Sequence, residues 1–317
     1  MSISGKYVGR LAPSPTGALH LGNVRTFMIA YLRARSLGGK VIMRMEDLDH
    51  PRDKAGADLQ ALEDLKWLGF EWDEFYRQSE RVDLYREAVR KLHEKSLIYP
   101  CVCSRRDVEA AQSAPHEGDQ LYYPGTCRGK FSSWQEAAKV KNSPCWRFAV
   151  PSQSVISFED VFASYFSMNV SRTLGDFPLA RDESGAGYTL AVVVDDLQMG
   201  VTEVVRGDDL LAATPAQILL ARHLGAEKIP EYCHVPLVVG SDGKRLAKRH
   251  GDTRIASFRE RGVKPEEIIG FLAASCGWCE KGESVSLENL LPRFSLNTIN
   301  HSPFVVDDKI FQGGQKW

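Results

Sequence analysis

Apolar and polar residues alternate at two different spacings in the N-terminal part of the chain. Two short apolar runs predict strands, and two longer stretches with apolar residues every three to four positions predict helices that each bury one face. The segments in chain order are 7–12 (strand), 24–37 (helix), 41–46 (strand) and 59–68 (helix). Glycine follows both helical stretches, as is common at helix ends. This alternation of strand and helix predicts a parallel sheet.

The strand-helix alternation is interrupted in the middle of the chain. A further helix is predicted over 82–95, but residues 99–187 are rich in turns, cysteines, Gly, Pro and Ser, which fits an inserted module better than a continued sheet. The alternation resumes with the apolar run Leu190 to Val194, a predicted strand. The following elements are a strand over 201–206, a helix over 214–223, a strand over 235–239 and a helical pattern from 252.

These patterns together predict an α/β protein with a Rossmann-type parallel nucleotide-binding sheet. The sheet is split by the inserted module, and a small helical subdomain follows it. The predicted units are 1–98 (first half of the sheet domain), 99–187 (inserted module), 188–251 (second half of the sheet domain) and 252–317 (helical subdomain).

Composition excludes some classes of protein. With 43% hydrophobic and 26% charged residues the chain is typical of a globular protein. It has no apolar run near the roughly 18 residues that span a membrane. Seven scattered cysteines and a polar N-terminus predict a reducing, cytoplasmic location. The net charge of −1 gives no sign of nucleic-acid binding.

The strongest local signal is the fourteen-residue string from Arg10 to Asn23, between the first strand and the first helix. The amide groups and dipole of a helix N-terminus at the end of a parallel strand favour a bound phosphate. His20 is a candidate donor to that phosphate, and Gly22 allows a nucleotide to approach the backbone. Each residue alone has an ordinary structural explanation, but the whole string favours a nucleotide site.

This string resembles the glutamyl branch of the class I aminoacyl-tRNA synthetases, which carry an RFAPSPTG segment followed by the HIGH signature. Asn23 stands at the last signature position, where the consensus has histidine. Other segments fit the same family in the same order: 44–49, 188–209 and 244–251. The resemblance implies ATP and L-glutamate as substrates and a tRNA as the acceptor.

By this resemblance six residues would line the amino-acid pocket: Arg10, Ala12, Ser14, Glu46, Tyr188 and Arg206. The chemistry agrees, because a guanidinium group binds a carboxylate with two hydrogen bonds. Glu46 would accept the α-ammonium group. Spacing does not decide which arginine takes the side-chain carboxylate, and taken singly each arginine could form a surface ion pair.

The string 245–249 resembles the second class I signature, KMSKS, in its glutamyl form KLSKR, with Arg245 for lysine and Ala247 for serine. Mobile cations here would stabilise the charge that develops on the α-phosphate and pyrophosphate. The alternative is a solvated basic turn. The predicted ATP-binding residues are His20, Gly22, Asn23, Arg245 and Lys248, of which His20, Asn23 and Lys248 are also the predicted catalytic residues. Mg²⁺ is expected to arrive with ATP.

Three cysteines, Cys101, Cys103 and Cys127, have spacing that suits a structural zinc ion, with the fourth ligand left open by the residues alone. The resemblance implies that Tyr123 is this ligand, because glutamyl-queuosine tRNA(Asp) synthetases have a C-x-C…Y-x3-C zinc pattern. The alternative is a set of inert thiols. Cys276 and Cys279 form a second C-x-x-C, which we assign to core packing.

Residues 252–317 leave room for one small helical subdomain, and we expect no anticodon-binding domain. In its short C-terminal part and its cysteine pattern the chain resembles the glutamyl-queuosine tRNA(Asp) synthetases. Members of that group attach glutamate to the queuosine base of tRNA(Asp). A monomer is expected. Two alternatives remain open: the catalytic core of a glutamyl-tRNA synthetase that charges tRNA(Glu), or a catalytically silent RNA-binding paralogue.

Overall fold

The computed structural model describes residues 6–48, 55–110, 122–141, 143–181, 185–244, 246, 252–307 and 310–311. The strands are β1 Val8–Leu11, β2 Lys40–Met45, β3 Glu74–Arg77, β4 Ile98–Cys101, β5 Cys145–Phe148, β6 Val155–Asp160, β7 Ser164–Asn169, β8 Phe177–Ala180, β9 Glu203–Gly207, β10 Glu231–Val235, β11 Val238–Val239 and β12 Phe304–Val305. The helices are α1 Leu21–Ser36, α2 Ala57–Trp67, α3 Val82–Glu94, α4 Arg105–Ala110, α5 Trp134–Val140, α6 Val170–Thr173, α7 Tyr188–Gln198, α8 Thr214–His223, α9 Ile255–Glu260, α10 Pro265–Ala274 and α11 Leu287–Leu290.

The predicted parallel sheet is confirmed. Strands β1, β2 and β3 pair in parallel, and so do β9, β10 and β6. The two groups meet where Thr202, just before β9, donates from its amide to the carbonyl of Val8 at 2.9 Å. The carboxyl ends of β1 and β9 therefore lie side by side, which is where open α/β sheets bind ligands.

Helix α1 connects β1 to β2 and packs its apolar face on the sheet. Its buried residues include Leu21, Val24, Met28, Ile29 and Leu32, spaced at three to four positions. Position 20 has extended backbone and caps the helix, so α1 begins at Leu21, three residues before the start that the apolar pattern predicts. The functional string therefore includes the first turn of the helix.

The strands of the inserted region belong to two different sheets. Strands β4, β5 and β8 form a separate antiparallel sheet. In contrast, β6 and β7 form a hairpin, and the end of β6 joins β10, where the amide of Val161 donates to the carbonyl of Tyr232 at 2.8 Å. This hairpin brings residues from the inserted region to the ends of β9 and β10.

The prediction of a strand at Leu190 to Val194 is wrong, because this run lies in helix α7. All five residues are buried, so the helix has no polar face over this stretch and its sequence has no helical periodicity. A short apolar run of this kind cannot distinguish a buried strand from a buried helix. The predicted strand over 235–239 is divided into β10 and β11, since Pro236 cannot donate a ladder hydrogen bond.

The C-terminal elements α9, α10 and α11 pack against α1 and the first half of the sheet in a shared core. Strand β12 returns to pair with β11 in parallel. Among the described residues, no helix has the length and apolar character required to cross a bilayer.

Candidate active site and cysteine cluster

The turn before α1 is held by its own polar residues. Nδ1 of His20 accepts a hydrogen bond from the amide of Gly22 at 3.1 Å, and Oδ1 of Asn23 accepts from the amide of His20 at 3.2 Å. This reciprocal arrangement is a capping box. Asn23, which differs from the family signature, therefore has a structural function here. A Cβ at Gly22 would lie only 3.0 Å from Cε1 of His20, so glycine also makes room for the imidazole ring.

A cavity of about 420 Å³ opens between this turn and the ends of β2 and β9. Eight residues that the sequence singled out line it: Ala12, Ser14, His20, Gly22, Asn23, Glu46, Tyr188 and Arg206. The glutamate and ATP candidates among them thus share one space. Its volume lies within the range typical of small-molecule sites, about 300–1,000 Å³.

Below the cavity lies a buried cluster of charges. Nη1 of Arg44 is 2.6 Å from Oδ1 of Asp196, and Nη2 of Arg44 is 3.1 Å from Oε1 of Glu46. Arg10 is 8% exposed; its Nη1 donates to the carbonyl of Val205 at 2.9 Å, and its Nε lies 3.7 Å from the same Asp196 oxygen. Burial lowers the pKa of Arg10 and raises the pKa of Glu46. Both shifts reflect the cost of holding charge away from water, which an oppositely charged ligand would reduce.

Arg206 enters the cavity from β9 and is held from behind. Its Nε donates to Nε2 of His234 at 3.0 Å, and its Nη2 donates to Thr214 and to Gln217, both at 2.8 Å. Nδ1 of His234 is 2.6 Å from Oδ2 of Asp160. Among the described residues, Nη1 of Arg206 has no protein acceptor. The side chain is therefore fixed while two of its N–H groups remain for a ligand.

Arg245 and Lys248 lie outside the described residues, so their predicted ATP contacts stay predictions. The chain leaves the cavity at Val238, which lines it. It returns at Thr253, whose carbonyl accepts from the amide of Leu21 at 3.3 Å. The segment that carries both cations thus starts and ends beside the His20 turn.

The cysteine cluster lies at the end of β4. The thiol sulfurs of Cys101, Cys103 and Cys127 all lie within 4.8 Å of one another. Oη of Tyr123 is 3.2 Å from Sγ of Cys101 and 3.6 Å from Sγ of Cys103. In a tetrahedral zinc site with Zn–S bonds of about 2.3 Å, the sulfurs are about 3.8 Å apart. The Sγ–Sγ distance of 3.5 Å between Cys103 and Cys127 is close to that value.

Two further residues, Arg147 and Cys145, change the pKa of Cys101 in this cluster. Nε of Arg147 donates to Sγ of Cys101 at 3.1 Å, and its guanidinium group lies 3.8 Å from the centre of the Tyr123 ring. Cys145 faces Cys101 across the β4–β5 pair. Hydrogen bonding to Cys145, Tyr123 and Arg147 lowers the pKa of Cys101 to about 4, although burial alone would raise it. A thiolate, the form that binds a metal, is therefore favoured at Cys101.

The chain matches a known family over nearly its whole length. The model for the catalytic domain of the class I tRNA synthetases for glutamate and glutamine matches residues 6–312. The chain belongs to this family. The resemblance to the glutamyl branch of the class I synthetases is thus confirmed.

Similar proteins within the family have two kinds of name. The chain is 45% identical to a glutamyl-Q tRNA(Asp) synthetase of Rhodopirellula baltica, over 95% of this chain and 97% of that protein. It is 42% identical to a glutamate-tRNA ligase of Aquifex aeolicus, over 93% of this chain and 63% of that protein. The crystal structure of a glutamate tRNA ligase from Elizabethkingia meningosepticum, in complex with its amino acid, matches with a TM-score of 0.80 and 29% identity, over 96% of this chain and 68% of that chain.

The sequence did not predict several residues that support the side chains of the site. Arg44 lies in a recognised segment, but only the structure reveals that it binds Glu46 and Asp196. Asp160 and His234 come from distant parts of the chain and carry no local motif. The second C-x-x-C was interpreted as core packing, and Cys276 is indeed fully buried, while Sγ of Cys279 donates to the carbonyl of Gly270 at 3.3 Å.

Proposed function

We propose that the protein activates L-glutamate with ATP and transfers the glutamyl group to the queuosine base of tRNA(Asp). The observation that carries this proposal is the single cavity that joins Glu46 and Arg206 to the His20 turn at the N-terminus of α1. An amino acid and a nucleotide phosphate can meet there. The 45% identity to a glutamyl-Q tRNA(Asp) synthetase supports queuosine as the acceptor.

Glutamate binds through charges that the cavity already holds. The Glu46 carboxylate accepts hydrogen bonds from the α-ammonium group of glutamate. Arg44 holds this carboxylate in place through a 3.1 Å hydrogen bond. Arg206 donates its two remaining Nη1 hydrogens to a substrate carboxylate. Arg10 lies behind the pocket and adds positive potential. Ala12, Ser14 and Tyr188 complete the walls.

The phosphates of ATP lie at the first turn of α1, where the amide groups of the helix and the His20 ring favour negative charge. An oxygen of the glutamate α-carboxylate attacks the α-phosphorus, and the bond to the bridging oxygen breaks, releasing pyrophosphate. Lys248 and Arg245 stabilise the departing charge. Mg²⁺ bound with ATP supplies further neutralisation.

The second step transfers the acyl group. A hydroxyl of the queuosine base attacks the carbonyl carbon of glutamyl-adenylate, a new ester bond forms, and AMP leaves with the electrons of the anhydride bond. The hydroxyl proton passes to solvent or to the departing phosphate. The chain supplies position and charge, and no side chain serves as nucleophile.

We also propose that Cys101, Cys103, Tyr123 and Cys127 hold one structural zinc ion in the inserted module of residues 99–187. The short distances between their ligand atoms fit a tetrahedral ion, and Arg147 offsets part of the negative charge of three thiolates. The zinc would fix the loop after β4 to the segment that carries Tyr123. The four-unit division, the monomeric state and the cytoplasmic location stay predictions.

The acceptor is tested with radiolabelled glutamate, ATP and three RNAs: tRNA(Asp) with queuosine, tRNA(Asp) without it, and tRNA(Glu). Label on queuosine-containing tRNA(Asp) alone is the expected result. Label on tRNA(Glu) alone would favour the glutamyl-tRNA synthetase alternative. Absence of glutamyl-adenylate under every condition would favour the silent paralogue.

The zinc ion is tested by elemental analysis of protein purified without chelators. About one equivalent per chain is expected. A clearly lower zinc content in folded protein would contradict the metal site but leave the glutamate pocket unaffected.

A further inference from the structure

The guanidinium group of Arg206 is held on three sides by buried groups. His234 on β10 accepts from Nε, and Thr214 and Gln217 on α8 accept from Nη2. His234, Thr214 and Gln217 are at most 2% exposed, and Arg206 is 6% exposed. Three of the five N–H groups thus fix the plane of the guanidinium, which leaves the Nη1 edge toward the cavity.

The bond from Arg206 to His234 imposes one tautomer on the imidazole ring. Arginine is always a donor, so Nε2 of His234 must be an acceptor and carry no proton. The ring proton must then lie on Nδ1, which is 2.6 Å from Oδ2 of Asp160. Burial lowers the pKa of His234, which agrees with a neutral ring. Hydrogen bonds from His234 and two backbone amides lower the pKa of Asp160, although burial alone would raise it.

Asp160 is itself rigidly placed. Its Oδ1 accepts from the amides of Phe162, Ala163 and His234 at 3.0, 2.8 and 3.0 Å. These bonds tie the end of β6 and the hairpin turn to β10. The carboxylate that selects the His234 tautomer therefore comes from the inserted region, whereas Arg206 and His234 belong to the second half of the sheet.

We propose that Asp160 and His234 are positioning residues of the glutamate pocket, acting in series to hold Arg206 in the orientation that receives a substrate carboxylate. The inference rests on the proposed function, since it assigns Arg206 to glutamate. Neither residue lines the cavity, so both act through Arg206. The pocket reaches its binding geometry only when the β6–β7 hairpin is docked on β10.

The decisive variant is Asp160→Asn. The amide oxygen can keep all three backbone hydrogen bonds, so the hairpin stays docked. The amide nitrogen, however, donates to Nδ1 of His234, which moves the ring proton to Nε2, opposite the Nε–H of Arg206. Two donors then face each other, and Arg206 loses one of the three hydrogen bonds that fix its plane. Because a wrong imidazole tautomer abolishes most of the function of a comparable Asp-His pair, we expect the KM for glutamate to rise about tenfold or more.

Rescue by a conservative variant separates positioning from folding. His234→Gln retains an acceptor for Nε of Arg206, whereas His234→Leu does not. We expect a smaller rise in the KM for glutamate in His234→Gln than in His234→Leu. Adding Asp160→Asn to His234→Gln should then raise the KM for glutamate little further, because no ring tautomer remains to be changed. Tyr165→Ser, at an exposed position of the same hairpin, serves as the control. It should leave the KM for glutamate and the KM for ATP unchanged.

The measurement is the exchange of labelled pyrophosphate into ATP, with tRNA present, at varied glutamate and varied ATP. A rise in the KM for glutamate, with a KM for ATP within about twofold of the parent, supports the inference. Equal rises for both substrates, equal effects of His234→Gln and His234→Leu, or a normal KM for glutamate in Asp160→Asn would overturn it. If the parent protein itself forms no glutamyl-adenylate, the proposed function fails instead.

Discussion

Arg44 and Asp196 form an ion pair of 2.6 Å under the cavity, and both side chains are almost fully buried. Asp196 also lies 3.7 Å from Arg10, and Arg44 extends to Glu46 at 3.1 Å. Nε of Arg44 lies 3.9 Å from Oδ2 of Asp195, so a third carboxylate also belongs to this buried group. Removing one member of such a group is strongly destabilising, because it leaves an uncompensated charge buried.

Removal of Asp196 tests how much this buried ion pair contributes to stability. Asp196→Ala leaves Arg44 and Arg10 with one carboxylate fewer, and we expect a loss of about 3–5 kcal/mol in the free energy of unfolding. Urea unfolding measures it. Asp83→Ala is the matched control, because Asp83 forms an ion pair with Arg86 on an exposed helix surface. Similar, small shifts in both variants would show that the buried pair contributes no more than a surface one.

The pH dependence of glutamate binding follows from Glu46. Burial raises its pKa, with Arg44 and Arg10 acting in the opposite direction. The carboxylate therefore takes up a proton at a higher pH than an ordinary glutamate, and it then loses its attraction for the α-ammonium group. We expect the KM for glutamate to rise as the pH falls from neutral toward about 5.5, still above the range where free glutamate takes up protons.

The stability effect of Glu46 has the opposite sign. Because the folded protein binds this proton more readily than the unfolded chain, the contribution of Glu46 to stability falls as the pH rises through the raised pKa.

Glu46→Gln should have a high KM for glutamate with little dependence on pH. If Glu46→Gln keeps the pH profile of the parent, another group is responsible.

The sequence predicted those parts of the fold whose apolar spacing is regular and one-sided. Helix α3 was predicted over 82–95 and forms over Val82–Glu94, since it buries one clear face. Helix α7 was missed because it is buried on all sides and has no polar stripe. Strand β3 was missed because it has only four residues, Glu74–Arg77, whose apolar and polar positions do not alternate.

The candidate site was predictable where residues lie in contiguous motifs. The strings around Arg10, His20 and Glu46 led to residues that meet at one cavity or just behind it. The supporting residues were not predictable, because Asp160 and His234 are 74 positions apart and meet only through the pairing of β6 with β10. The bond between Arg44 and Asp196 was not predictable for the same reason, because it spans 152 positions.

The zinc proposal predicts a specific function for the hydroxyl of Tyr123. Tyr123→Phe removes the proposed oxygen ligand and the acceptor for the amide of Cys127 at 2.9 Å, but it keeps the ring on which Arg147 stacks. We expect zinc affinity to fall at least about tenfold, as for the loss of an outer partner in other metal sites. Competition with a coloured chelator measures the affinity.

The neighbouring residue supplies the control for this zinc measurement. Tyr122→Phe makes the same chemical change one position away, at a side chain that is 37% exposed. It should leave zinc binding unchanged. Equal affinities in the two variants would mean that Tyr123 is not a ligand.

Gly22→Ala separates stability from ATP chemistry. The added methyl group would lie 3.0 Å from Cε1 and 3.1 Å from Nδ1 of His20, and 3.6 Å from Cβ of Val238, so the imidazole must move. Alanine within a helix is favoured over glycine by about 0.5–1 kcal/mol, which offsets part of the strain. We therefore expect near-normal thermal unfolding but a fall of at least about tenfold in pyrophosphate exchange at saturating glutamate, because a donor to the developing charge is displaced. Normal exchange in a stable Gly22→Ala protein would show that the position of the His20 ring does not matter for adenylate formation.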